Sequence, residues 1–395
     1  MIFAYICSMI VARDIAKQLA AMAKKLPVIA LNGPRQSGKT TAAKQAFPSY
    51  EYRTLEDRDT RAYAEADPRK FLEEFSGGVI LDEVQRMPDL FSYIQTIVDR
   101  DDKLGRFILT GSMNFLLLQN ISQSLAGRVA LMRLLPFSLS EIERTKVKIT
   151  KPEDVIFRGC YPRLYSAKLD PHEWYPSYTE SYVERDVRLI KNISDLGAFR
   201  RFLRLCAGRV GQLVNLTEMG SEIGVNYHTI RSWLGVLETS FTVFLLESHH
   251  KNYAKRMIKM PKLYFYDTGM ACSLLGIQSA KQLETHYLRG ALFENFVITE
   301  IMKTRYNQGK RAELFFWRDK RGNEVDCIID DGTQLTPIEM KSSKTIASDF
   351  FKGLEYWNSL SKQDPQKSLL VYGGSEKQER TQATVIGWRD IAKYV

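Results

Sequence analysis

Residues 28–41 constrain this chain more than any other stretch. A short apolar run, VIALN (28–32), leads directly into GPRQSGKTT (33–41), and a helical pattern starts at once. A strand that ends in a glycine-bracketed loop and opens a helix turns its backbone N–H groups into one hollow, backed by the partial positive charge of the helix start. The loop fits G-x-x-x-x-G-K-[ST] in full, the pattern of a cradle for nucleotide phosphates. Gly33, Pro34, Arg35, Gln36, Ser37, Gly38, Lys39, Thr40 and Thr41 are the expected contacts to ATP. Lys39 is placed to reach the β and γ phosphates, and the Thr40 hydroxyl to bind Mg²⁺.

Two further apolar runs end in polar residues. In GGVILDE (77–83) a buried-type strand delivers Asp82 to the carboxyl edge of a sheet, beside the loop, as a second holder of the Mg²⁺ shell. Glu83 follows, placed to orient or deprotonate an attacking water. RFILTGS (106–112) runs on into Met113 and Asn114, and either Ser112 or Asn114 would sense the γ-phosphate. Arg128, in SLAGR (124–128), would stabilise transition-state charge in cis or from a neighbouring subunit, or else form a plain surface salt bridge. Strand, loop, helix and strand in this rhythm predict a parallel α/β sheet.

The formal charge of +10 suits a polyanionic partner such as nucleic acid, and equally a solvated basic surface. The five cysteines are odd in number and none is at metal-ligand spacing, which argues against a disulfide framework and fits a reducing cytoplasm. The opening MIFAYICSMIVA is too short to span a membrane and lacks a basic signal-peptide start, so no membrane association is expected, and Met9 is an alternative start.

Proline-containing sequence near 136–160 marks a change of pattern. It predicts three parts: an ATP-binding part over 1–150, a helical part over 151–261, and a smaller α/β part over 262–395. Within the second, LTEMGSEIG (216–224) and HTIRSWLGVLE (228–238) read as helix, turn, helix, with Thr217 as an N-cap and Gly224 as the stop. A strand at FTVFLLESH (241–249), a basic run and KLYFYD then complete the pattern of a winged helix. Its second helix would present Asn226, Tyr227, His228, Thr229 and Arg231. Lys251, Lys255, Arg256, Lys259 and Lys262 in the hairpin fit contact with DNA phosphates, although winged helices also serve as protein-binding modules.

In the third part Glu294 falls in the helix RGALFENFVITEI, Asp326 in the strand NEVDCII, and Glu339 and Lys341 in the next strand, PIEMK. This order of acid, Asp and Glu-x-Lys on helix, strand and strand resembles the PD-(D/E)XK nucleases, a restriction-endonuclease-like α/β fold. Period-two geometry sets Glu339 and Lys341 on one face. Glu294, Asp326 and Glu339 would share a second Mg²⁺ or Mn²⁺, and Lys341 would position or deprotonate water. Alternatively, Glu324 and Asp326 form ion pairs with Lys320, Arg321 or Lys341, and the shape is kept without the chemistry.

The stretches GPRQSGKTT, VILDEVQRMPDL (79–90), FILTGS, SLAGR and LLPFSLSE (134–141) resemble the AAA-type P-loop ATPases that in bacteria and archaea are joined to a DUF4143-type C-terminal region. The likeness continues through GCYPRLY (159–165), YVERDV (182–187) and KLYFYDTG (262–269), over nearly the whole chain. That family has Gly-Gly-Tyr-Pro where this chain has Gly159-Cys160-Tyr161-Pro162, a departure that touches no residue given a chemical role here. The resemblance implies a AAA-like ATPase that works as a homo-oligomer. The expected function is ATP hydrolysis whose nucleotide state controls a DNA-directed C-terminal module with a nuclease-like metal site. The alternative is a nucleotide-switched DNA- or protein-binding module with an inactive nuclease-like domain.

Overall fold

A computed structural model describes residues 10–101, 103–112, 124–183, 195–249 and 260–395. Five short strands form the first sheet: β1 (Val28–Asn32), β2 (Glu51–Thr54), β3 (Val79–Asp82), β4 (Phe107–Gly111) and β5 (Val129–Arg133). The strands are parallel throughout, in the order β2-β3-β4-β1-β5. Strands β1, β3 and β4 are buried along their whole length, because helices cover both faces. Alternation sorts the side chains accordingly. Val28, Ala30, Val79, Leu81, Phe107 and Leu109 pack under the helices Arg58–Ala66, Pro68–Glu73 and Leu90–Arg100. Ile29, Leu31, Ile80 and Ile108 pack on the opposite face, under the helices Ala16–Ala23 and Lys39–Ala46.

The chain leaves this sheet through a capping box. Ser138 accepts from the Glu141 amide at 3.4 Å and Glu141 from the Ser138 amide at 2.9 Å, opening the helix Leu139–Glu143. Helices then dominate to Thr239. The helix Leu216–Ile223 is capped by Asn215, which accepts from the Glu218 amide at 3.2 Å. The expected cap, Thr217, sits inside the first turn instead. Asn215 is two residues earlier, at the N-cap position, and its side-chain carbonyl oxygen accepts from one of the helix's free N–H groups. Gly224 ends the helix in the left-handed region, as the sequence predicts.

After the helix Tyr227–Thr239 come β6 (Val243–Leu246) and β7 (Lys262–Phe265), paired antiparallel. Lys262–Phe265, at the head of KLYFYD, pairs in this hairpin with the strand before the basic run. The C-terminal sheet proper holds β8 (Leu314–Arg318), β9 (Glu324–Asp330), β10 (Leu335–Lys341), β11 (Leu369–Tyr372), β12 (Gln378–Glu379) and β13 (Thr384–Gly387) in the order β12-β13-β11-β10-β9-β8. Trp317 and Trp357 meet edge to face at 5.4 Å beneath it.

The helix Arg289–Asn307 is buried nearly all round, which makes it an interior element rather than a surface one. Asn295 on it accepts from the Phe265 amide at 2.9 Å and donates to the Phe265 carbonyl at 2.7 Å. Glu300, one turn on, accepts from the Leu139 amide at 2.7 Å. One helix thus fixes both the β6–β7 hairpin and the exit from the first sheet. Among the described residues no helix is long and apolar enough to cross a membrane.

Candidate functional site

The loop 33–38 is curled by residues in unusual backbone conformations. Gly38 (φ +90°) and Gln36 (φ +60°) are left-handed, and a Cβ on Gly33 would lie 2.1 Å from the Leu134 carbonyl oxygen. Only glycine allows that approach. The Lys39 ammonium lies over the loop, donating to the carbonyls of Gly33 at 3.0 Å and Pro34 at 2.8 Å.

The carboxyl edges of β3 and β4 complete the site, at the end of the sheet where α/β folds bind their ligands. Thr40 Oγ1 donates to Asp82 Oδ2 at 3.0 Å. Tyr52 donates its hydroxyl to the same oxygen at 2.9 Å, and the Thr110 hydroxyl donates to Asp82 Oδ1. Burial, with the Asp82 charge added, pushes the Tyr52 hydroxyl up to about 12, so it stays a proton donor at neutral pH. Glu83 is turned out of the strand by a left-handed backbone (φ +55°) and accepts from Ser112 Oγ at 3.1 Å and from Gln85. The structure thus brings together Lys39, Thr40, Asp82, Glu83 and Ser112. Asn114 lies outside the described residues.

Arg128 is elsewhere. Its carbonyl accepts from the Val28 amide at 3.2 Å, at the amino edge of the sheet, a strand's length from the loop. Its guanidinium is paired with Asp99, at 2.9 Å through Nη2. The cis role is therefore withdrawn: β5 runs parallel to β1, so its first residue and the loop are at opposite ends.

Sequence reading missed what holds the loop. Arg13, buried, donates through Nε to Glu141 at 2.9 Å, through Nη2 to the Leu135 carbonyl at 2.8 Å, and through Nη1 to the Ser37 carbonyl. The Ser138-x-x-Glu141 capping signature was legible, but nothing local in the sequence tied it to Arg13. Tyr178 donates to the Arg35 carbonyl at 3.2 Å and lies 3.1 Å, hydroxyl to hydroxyl, from Tyr161. The GCYP segment continues inward: Asp267 accepts from the Cys160 amide at 2.7 Å and the Tyr175 hydroxyl at 2.5 Å. Cys160, buried in full, has its thiol pushed up to about 12 by burial, so it carries no nucleophile.

The C-terminal carboxylates also converge, but around lysines. Lys262 Nζ donates to Glu294 Oε1 at 3.0 Å and is paired with Glu324; Tyr264 donates its hydroxyl to Glu294 as well. Lys341 Nζ donates to Glu339 Oε1 at 2.6 Å. Asp326 accepts from the Met340 amide at 2.8 Å. Burial, opposed by the Lys262 charge, raises the Glu294 carboxyl to about 7, and burial with the Asp326 charge raises Glu339 to about 8. Lys262 is raised too: burial alone would lower it, and the surrounding carboxylates outweigh that.

Two expectations change here. Lys262 is 3% exposed and bound to acids, so it is not a phosphate contact; Lys251, Lys255, Arg256 and Lys259 lie outside the described residues. Glu294, Asp326 and Glu339 do not form a ligand set either. Among the described residues no group of three His, Cys, Asp or Glu side chains is arranged to hold a metal ion, and one oxygen of each carboxylate is already taken by an ammonium group, a hydroxyl or a backbone amide. The residues as placed do not fit a second Mg²⁺ or Mn²⁺.

Comparison with known proteins agrees with the first sheet and its loop. The family described as AAA domain matches residues 25–143, and domains of unknown function match 149–281 (DUF8612) and 289–391 (DUF4143). The uncharacterized protein Rv2008c of Mycobacterium tuberculosis is 30% identical over 342 residues, 86% of this chain and 76% of that protein. Mb2031c of Mycobacterium bovis gives the same figures. The uncharacterized protein MJ1544 of Methanocaldococcus jannaschii is 25% identical over 274 residues, 64% of this chain and 58% of that one. Among solved structures, a Walker-type ATPase of Pyrococcus abyssi aligns at 13% identity and a TM-score of 0.44, over 66% of this chain and 94% of that chain. The chain is an AAA-type P-loop ATPase joined to a DUF4143 C-terminal region, and it belongs to the same family as the mycobacterial proteins Rv2008c and Mb2031c.

Proposed function

We propose that the chain hydrolyses ATP at the loop site and that the nucleotide state governs a DNA-directed module in the rest of the chain. The observation that carries the first half is the Thr40–Asp82 hydrogen bond, 3.0 Å, joining the loop's helix to β3. A hydroxyl and a carboxylate side by side, with only hydroxyl donors on the carboxylate, are a donor set suited to Mg²⁺. When bound, Mg²⁺ supplies charge neutralisation between the β and γ phosphates. The loop amides and Lys39 bind and orient the phosphates. Glu83 takes the proton of the attacking water, and Ser112, already on Glu83, senses the γ-phosphate.

Glu83→Gln tests this: ATP binding should persist while turnover is lost, and unchanged turnover would remove Glu83 as base. Arg128 would act from a neighbouring copy in a homo-oligomer, its carboxylate partner Asp99 holding it on the surface until then. Turnover per chain should therefore rise with protein concentration in the wild type and stay flat in Arg128→Ala.

The second half rests on contacts at the back of the loop, since Ser37 and Arg35 are tied through Arg13 and Tyr178 to the chain that follows the sheet. DNA contact is assigned to the helix Tyr227–Thr239 of a winged-helix arrangement. Asn226, Tyr227, His228 and Arg231 are exposed there. The test is DNA affinity with and without ATP, across salt; a salt-independent or absent interaction removes DNA as the partner. The lysines among the C-terminal carboxylates favour a second reading of that module, in which a nuclease-like domain binds without cleaving.

A further inference from the structure

We propose that Lys262 is the resident cation of the C-terminal carboxylate cluster and keeps a divalent metal out of it. This deepens the binding-without-cleavage reading and rests on it. The first observation is position. Lys262 comes from β7, in the hairpin, and crosses to the cluster to bridge Glu294 on the long helix and Glu324 on β9. It is 3% exposed, so its charge was not placed there for solvent. Tyr264, two residues on and therefore on the same face of β7, donates to Glu294 as well. One strand thus supplies two donors to the carboxylate that a metal would need.

The second observation is charge balance. Glu294, Glu324, Asp326 and Glu339 face Lys262, Lys341 and Arg318, the last 3.3 Å from Glu324. Four acids meet three cations, and burial raises the carboxyls of Glu294 and Glu339, which favours their neutral forms and narrows the difference. A cluster neutralised in this way offers a divalent ion little net attraction, and the ion would have to displace an ammonium that is buried and tightly paired. Glu339 Oε2 is buried and has no hydrogen-bond partner. It marks the side on which a metal could sit once the lysine charge is gone.

The third observation is attachment. β7 runs on through Tyr266 to Asp267, which binds the Cys160 amide and Tyr175, and Asn295 clamps Phe265 from the long helix. Lys262 is therefore held on a braced strand and is a fixed part of the cluster.

The test is Mn²⁺ binding to the full chain without nucleotide, followed by electron paramagnetic resonance, with ATP turnover read on the same samples. A signal abolished by Asp82→Asn belongs to the loop, and one abolished by Asp326→Ala belongs to the C-terminal cluster. Wild type should show no Mn²⁺ of the second kind. Lys262→Met should gain it, with affinity rising at least about a hundredfold, as expected for removing one charge about 4 Å away. Lys262→Gln, which removes the charge but keeps a side-chain donor for Glu294, should do the same if Lys262→Met unfolds the chain. Wild-type Mn²⁺ binding that depends on Asp326 would overturn the proposal, as would folded variants without Lys262 that bind none. Loss of ATP turnover in every sample, wild type included, would count against the ATPase reading alone.

Discussion

The two carboxylate sites of this chain differ in what their acids hold. At the loop, Asp82 is met by the hydroxyls of Thr40, Tyr52 and Thr110, and Glu83 by Ser112 and the Gln85 amide. At the other end, Glu294, Glu324 and Glu339 are met by the ammonium groups of Lys262 and Lys341. Neutral donors leave the negative charge in place, and a hydroxyl that gives up its hydrogen bond can turn its oxygen toward a cation. Ammonium groups cancel the charge and have no lone pair to offer. Acid count alone would rank the C-terminal site as the better metal site; the donors reverse that order.

The comparison breaks first if Glu83 is not catalytic. Glu83→Gln should lower kcat by about 10²–10⁴-fold, with ATP affinity unchanged in a binding titration. The next largest effect tests the ionic clamp under the loop. Removing Arg13 strands Glu141, whose side chain is fully buried, so Arg13→Ala should cost about 3–5 kcal/mol in denaturant unfolding. A loss below 1 kcal/mol, roughly the scale of an exposed pair, would show the clamp to be open to water.

A third prediction concerns pH. Glu294 and Glu339 keep their protons in the folded chain to about 7 and about 8, but release them near about 4.3 when unfolded. The folded state then holds more protons between those values. Its extra stability is complete below the unfolded value and is lost as pH rises through the folded ones. Melting temperature should fall over that window, and fall less in Glu339→Gln. Equal slopes would mean that the lysines hold both carboxyls ionised. The smallest effect sharpens the loop side: Tyr52→Phe removes one of three hydroxyls on Asp82, worth about 1 kcal/mol, and should shift the Mg²⁺ dependence of turnover by only a few fold.

The loop could be read from sequence because its chemistry is local: backbone amides, two glycines and a lysine, all contiguous. Asp82 and Glu83 were legible because an apolar strand announces where its polar end falls. Tyr52 and Thr110 were not, since they reach Asp82 only through the register of neighbouring strands, Thr54 and Thr110 lying opposite it. Lys262 misled for the same reason. At the end of a basic run it looks solvated, and its partners Glu294 and Glu324 come from later elements that only the fold brings near. The alternation of β10 did place Glu339 and Lys341 together, because period two needs no tertiary knowledge. The C-terminal sheet was legible as strands, but the boundary drawn at 262 falls inside the β6–β7 hairpin, because an apolar run does not state its partner.

The long helix Arg289–Asn307 carries a consequence for anyone who cuts this chain. Leu139, at the exit of the first sheet, gives its amide to Glu300, and one apolar cluster runs from Val11 and Leu135 through to Ile391. A fragment stopping near residue 150 would lack the acceptor for Leu139 and much of the packing around Leu135 and Phe137. During synthesis those partners arrive late, after most of the chain has been made. The boundaries that sequence families draw are therefore not places where this protein comes apart, and its first sheet is finished by its last third.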